Sequence, residues 1–183
     1  MAVIRQAGRE DEPFLVQALL SISSHVRKSV DDPYARALPT SANPGTIRFV
    51  REYLSGKPDL LALVRADSTG RARACLLGCV AACSQPNVEA VKAGRIEACF
   101  TDPAERQRGY ARELVQAAET WFAEKGLKFI ELSFVPGSQG TAEAWAALGY
   151  QPFRQFSYRA LEVRQTPRSA SDFIYRTDRT PEQ

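Results

Sequence analysis

Histidine is nearly absent from this 183-residue chain; His25 is its only one. Cysteines at metal-ligand spacing are absent as well. Cys75, Cys79, Cys83 and Cys99 contain no Cys–x–x–Cys pair, and His25 lies far from them in sequence. A tetrahedral metal site takes four ligands, usually in close pairs, so no metal is expected. The four thiols read instead as small, buried and reduced. No apolar run approaches the ~20 residues that span a bilayer. The start, Met1 to Gln6, lacks the basic segment and apolar block of a signal peptide. A cytoplasmic protein with no membrane partner is the expectation. A large excess of one charge is missing too: the net charge is +3, and the basic residues are spread along the chain. There is no basic stripe, aromatic pairing or Gly-rich RNA-binding signature, which excludes nucleic acid as a partner. There are no internal repeats and no evident linker between two domains.

What is present suits one globular domain. Apolar residues make up 44% and charged residues 25% of 183 positions, enough for a core of its own. Val3–Arg5 reads as a short edge strand. Glu10, Asp11, Glu12 and Pro13 open a helix, and Phe14, Leu15, Ala18, Leu19 and Ile22 recur at helical spacing through about Arg27. Lys28–Gly45, with Pro33, Pro39 and Pro44, reads as a long loop of the kind that often carries function. Thr46 is placed to cap a helix over Ile47–Ser55. Leu60–Ala66 and Ala74–Ser84 read as strands of a hairpin about the Asp67–Gly70 turn. The second is nearly all apolar, and so buried on both faces.

The rest of the chain is organised around one stretch, Thr101 to Arg112. A strand, Arg95–Thr101, runs into it. Ile96, Ala98 and Phe100 are expected on one face and Arg95, Glu97, Cys99 and Thr101 on the other. Asp102–Pro103 ends the strand. A polar turn with Arg106 and Arg108 follows, and Gly109 starts a periodic helix to about Glu124. A helix start has free N–H groups and a partial positive charge, so it is a ready anion site, and two arginines in one turn strengthen it. Gly126 caps that helix, and Phe129–Phe134 is the next strand. Strand, crossover helix and strand make a parallel pair. Thr141–Leu148 is a short Ala-rich helix, and Phe153–Val163 alternates as a last strand or hairpin arm. From Arg164 the chain is polar; Ser171–Arg176 is expected to add a short strand or dock on a partner chain.

Arg106–x–x–Gly109–x–Ala111 resembles the Gln/Arg–x–x–Gly–x–Gly/Ala motif of the GNAT superfamily of N-acetyltransferases. Leu148–Gly149–Tyr150–x–Pro152 resembles that family's closing Leu–Gly–Phe segment. The likeness covers roughly Val3 to Val163, most firmly Arg95 to Phe153. It implies an α/β (α+β) fold, with a GNAT-like central mixed sheet of about six to seven strands flanked by about four helices. Residues 1–163 would be a single acyltransferase domain. Residues 164–183 would be a polar extension, partly disordered or docking, and a homodimer is a possible assembly.

The resemblance further implies acetyl-CoA as co-substrate and an amine as acceptor, carried by a small molecule or a protein. Amides of Gln107, Arg108, Gly109, Tyr110 and Ala111 would hold the diphosphate, with Arg106, Arg108 and Arg112 nearby. The backbone of Cys99, Phe100 and Thr101 would hold the cofactor arm, and Ser138 stands where many members carry an Asn. Tyr34 and Arg36, in the long loop, are candidates to meet the acceptor. Two readings of Glu97 stand open: a carboxylate on a half-exposed face, or the general base that takes the amine's proton. The sequence departs from the family at Trp145, where many members carry a Tyr. An indole N–H donates but does not release a proton to a thiolate. Tyr150 or Tyr158 is a substitute, or the thiolate leaves unassisted. The expected function is acetyl transfer from acetyl-CoA to a primary amine; the alternative is a non-catalytic acetyl-CoA-binding module.

Overall fold

The computed structural model describes residues 3–31, 33–85, 92–135, 138, 140–153 and 157. The chain divides into two units, Met1–Phe153 and Arg154–Gln183, and of the second Ser157 alone is described. Tyr158, the segment 171–176 and nearly all of the expected final strand lie outside the described residues.

The first unit is built on a sheet in sequence order, β1 (Val3–Gln6), β2 (Leu60–Ala66), β3 (Ala72–Ala82), β4 (Lys92–Thr101) and β5 (Ile130–Leu132). β1 to β4 are antiparallel neighbours, and β4 and β5 are parallel. Five strands are thus present among the described residues, fewer than the six to seven expected. Around them lie α1 (Glu12–Ser29), α2 (Pro33–Arg36), α3 (Pro44–Tyr53), α4 (Tyr110–Glu124) and α5 (Thr141–Ala147). None of these helices is long and apolar enough to cross a membrane.

Two elements correct the sequence reading. The expected loop after α1 contains the helical turn α2. The α3 cap is Asn43 rather than Thr46: the Asn43 side chain accepts from the Thr46 N–H at 2.9 Å, and Pro44 takes the first helical position. Asn43→Ala is expected to cost about 1 kcal/mol, read as a lower urea midpoint with an unchanged slope.

The sheet separates two cores. On one face Leu15, Ala18, Val50 and Tyr53 pack on Ala62, Val64, Cys75 and Leu77. On the other, Leu114, Val115, Ala118 and Phe122 of α4 pack on Leu61, Leu63, Leu76 and Ile96. The Phe122 ring fills a hollow left by two glycines. A Cβ at Gly94 would stand 2.6 Å from that ring, and one at Gly78 would stand 3.0 Å from it. At the corner between β1 and α1, the buried Asp11 carboxylate receives Arg5 Nη1 and Nη2 at 2.6 and 3.0 Å and the Gly8 N–H at 2.9 Å. At the far edge, Glu131 of β5 accepts from the Ser84 N–H at 3.1 Å and from Cys83 Sγ at 3.2 Å, which ties the end of β3 to β5.

β4 does not alternate as expected. Leu77 opposes Ala98 and Gly78 opposes Ile96, which leaves Glu97 as the extra residue of a β-bulge. Ile96 and Cys99 therefore belong to the α4 core, and Ala98 and Phe100 to the opposite one. One inserted residue reverses the face of everything after it.

Candidate functional site

The parallel pair opens partway along. β4 and β5 are in register at Gly94↔Ile130, Arg95↔Glu131 and Ile96↔Leu132. Beyond Ile96 no strand among the described residues pairs with β4 on that side. On that side Glu97 to Thr101 thus present a main-chain edge that no strand among the described residues takes. Cys99, Phe100 and Thr101 lie on this edge. Their other edge is held by β3, through Leu76↔Cys99 and Cys75↔Phe100.

The turn from β4 into α4 follows directly. Asp102 caps a 3₁₀ turn, Pro103–Glu105, by accepting from the Ala104 N–H at 3.2 Å. Gln107 and Gly109 then adopt positive φ, 63° and 81°, on either side of Arg108. Such reversals turn successive amides toward a common point, an anion-binding concavity. Among the described residues none accepts from the amides of 107–112; the first bond of α4 runs from the Glu113 N–H to the Gly109 carbonyl at 3.0 Å. Arg106, Gln107, Arg108 and Gly109 are all exposed. The cations differ in availability. Arg108 pairs with Glu105 at 2.9 Å, Arg112 reaches the Ala147 carbonyl at 3.4 Å, and Arg106 makes only a long contact, 3.5 Å, to the Thr101 carbonyl. The Tyr110 side chain is structural: the Arg65 guanidinium lies 4.2 Å above its ring.

Because of the bulge, the exposed Glu97 carboxylate reaches the α3 side of the sheet. Cys79 Sγ contacts Glu97 Oε1 at 3.7 Å. Burial pushes up both the Tyr53 phenol and the Cys79 thiol, so both stay protonated donors at neutral pH. Burial also pushes the Cys99 thiol up to about 12. This thiol on the open strand is therefore no thiolate nucleophile at neutral pH.

A second polar cluster was not foreseen. His25, on the last turns of α1, meets Ser138, 113 positions away: Nε2 lies 2.7 Å from Ser138 Oγ. That hydroxyl also lies 2.6 Å from Thr141 Oγ1, and Ser138 is only 8% exposed. The Ser138 N–H donates to the Val135 carbonyl at 3.1 Å, in the loop between β5 and α5. Nearby, Arg27 donates to the carbonyls of Arg36 and Leu38 at 2.8 and 3.1 Å, which anchors the loop holding the acceptor candidates to α1. Tyr34 is 62% exposed, and Arg36 pairs with Asp31.

Trp145 is half-buried and packs edge-on against Tyr150, ring centres 5.3 Å apart. The Tyr150 hydroxyl donates to Glu119 of α4 at 3.4 Å, and burial raises its pKa. Tyr150 thus faces α4, lining a depression of about 410 Å³ with Glu119, Lys128 and Leu148. Among the described residues no cluster of three metal-ligating side chains occurs.

Comparison with known proteins agrees with this architecture. The fold is similar to that of the aminoglycoside N-acetyltransferase AAC(6')-Iy, solved with the bisubstrate analogue CoA-S-monomethyl-acetylneamine. That match has 18% identity and a TM-score of 0.66 over 88% of this chain and 99% of the other. It is also similar to a GCN5-related N-acetyltransferase from Ralstonia eutropha JMP134, with 21% identity and a TM-score of 0.67 over 87% and 99%. A tetramutant of the BH1408 protein from Bacillus halodurans matches at 18% identity and a TM-score of 0.71 over 87% and 99%. Among curated proteins no sequence match is found. The profile of the Acetyltransferase (GNAT) family matches residues 28–150, about two thirds of the sequence and all of the open strand pair, its turn and α4. The chain belongs to the GNAT acetyltransferase family.

Proposed function

We propose that this protein transfers the acetyl group of acetyl-CoA to a primary amine of a small molecule or a protein. The observation that carries the proposal is the opened β4–β5 pair running directly into the positive-φ turn at the start of α4. The donor set fits the donor molecule. A diphosphate takes the free amides of Gln107 to Ala111 and the charge of Arg106, whose guanidinium has no carboxylate partner among the described residues. An extended arm bearing amides takes the free edge of Cys99 to Thr101. The donor supplies an activated acyl thioester; the chain's residues bind it, orient it and move protons.

The acceptor must arrive neutral. An alkyl ammonium has a pKa near ~10, so at neutral pH it must first lose a proton. Glu97 is exposed at the bulge beside the open edge, and serves as general base directly or through one water. Orienting the two reactants supplies much of the rest of the rate. The aminoglycoside ligand of a solved neighbour supports a small polycationic amine as one class to test first.

The test is release of free thiol from acetyl-CoA across a panel of amines and Lys-containing peptides. Thermal shift with coenzyme A is measured alongside. A rise in melting temperature with thiol release on some acceptor is expected. A coenzyme that leaves the melting temperature unchanged overturns the reading. A second reading, a coenzyme-binding module without turnover, is favoured by Trp145 packing as a core aromatic. Binding without thiol release on any acceptor would select it.

Gly109→Ala checks the turn itself. A Cβ there meets nothing within 4 Å, so any loss comes from the positive φ of 81°. That strain is about 1–2 kcal/mol, and coenzyme A affinity is expected to fall roughly tenfold by calorimetry.

A further inference from the structure

We infer that Glu131 is a positioning residue for the donor site: its carboxylate holds β5 to β4 and β3 behind the opening, and so fixes the opening that the donor's arm must enter. The inference rests on the acetyl-transfer reading above. β5 is a short strand. Ile130, Glu131 and Leu132 pair with Gly94, Arg95 and Ile96 of β4, and Glu131 is the middle one. Ile130 and Leu132 pack on the α4 core, as does Ile96. Alternation therefore turns the side chains of Glu131 and Arg95 to the other face of the sheet. On that face Glu131 reaches across β4 to the end of β3, a strand that is not its neighbour in the sheet.

Three groups converge on this one carboxylate. The Ser84 N–H lies 3.1 Å from both Oε1 and Oε2, Cys83 Sγ donates to Oε1 at 3.2 Å, and Arg95 Nη2 stands 3.8 Å from Oε2. The same Arg95 nitrogen donates to the Ala82 carbonyl at 3.0 Å. The end of β3, the middle of the paired stretch of β4 and β5 itself are thus joined at one point. Burial works against the charge of Glu131, and Cys83, the Ser84 N–H and Arg95 outweigh it, so its pKa lies below the usual carboxylate value. Hydrogen bonds to an ionised acceptor are stronger than neutral ones.

The consequence falls on one part of the donor only. An arm that needs β5 in place binds in proportion to the fraction of molecules that hold it there. Removing the carboxylate leaves only the ladder and the α4 face to hold the strand. The diphosphate grip is separate: its amides lie past the end of β4, at the start of α4.

Calorimetry with two ligands separates these parts. One is coenzyme A; the other is adenosine 3′-phosphate 5′-diphosphate, which has the nucleotide and the diphosphate but no arm. If Glu131→Ala leaves β5 in place in about one molecule in ten, coenzyme A binds about tenfold more weakly. The short ligand should change by less than about twofold. Glu131→Gln keeps the size and an acceptor for Ser84 but loses the charge, and should weaken coenzyme A by about threefold, again with the short ligand held. Should the alanine variant not fold, the glutamine variant decides by the same split.

A merely structural tie would show itself differently. It would lower the urea midpoint and weaken both ligands by the same factor, or neither. Equal losses on the two ligands, or coenzyme A held as tightly as by the native chain, overturn the inference alone. A native chain that fails to bind one or both ligands overturns it together with the acetyl-transfer reading.

Discussion

Glu97→Gln is expected to lower kcat about 100-fold, roughly 2.7 kcal/mol in the barrier, with donor affinity unchanged. The amide keeps the size and hydrogen-bonding reach of the carboxylate but does not take a proton at neutral pH. At the bulge the residue has no cross-strand partner, so the substitution disturbs no ladder bond. Attack in the variant depends on the small fraction of acceptor that is already neutral. Its kcat should therefore climb with pH toward the acceptor's own pKa, where the native enzyme levels off earlier. Steady-state rates over pH with calorimetry of coenzyme A check both parts. An unaltered kcat would remove Glu97 from the chemistry and leave it a carboxylate exposed on the sheet.

The largest effect on stability is expected at Phe122. Phe122→Ala should cost about 3–5 kcal/mol. The ring is 1% exposed and lies over Gly78 and Gly94, whose lack of side chains is the space it fills. Gly94→Ala attacks the same contact from the other side, since its Cβ would stand 2.6 Å from the ring; overpacking of this kind costs about 1–3 kcal/mol. Urea unfolding of the two single variants and the double variant measures this. Less than about 1 kcal/mol for Phe122→Ala would mean that α4 is held by other contacts.

What could be read from the residues alone was local. Leu114, Val115, Ala118 and Phe122 recur at helical spacing, and the α4 core lies on that stripe. Leu60–Ala66 reads as a strand from its apolar run, and Gly109 stands at the start of that helix. Features set by neighbours distant in sequence were not legible. The bulge at Glu97 depends on β3, because alternation within β4 carries no sign that a partner residue is skipped; a glutamate in mid-strand was the one local hint. The meeting of His25 with Ser138 joins positions 113 apart, between α1 and the loop before α5. The α3 cap was legible in principle: Pro44 at the first helical position points to Asn43 before it. β5 is shorter than its apolar pattern because its pairing with β4 ends at Leu132, opposite Ile96, and a strand's length is not written in its own residues.

The glycine hollow under Phe122 does more than fill space. Gly94 is also the first residue of β4 in register with β5, opposite Ile130, so α4 presses on the short paired stretch that ends at Ile96. The helix that begins at the positive-φ turn is therefore pinned, near its far end, to the paired stretch behind the opening. Tilting that helix must change the turn and the gap together, as a lever moves both its ends. Substitutions at this pivot, remote from any reacting atom, should alter rate and affinity in parallel.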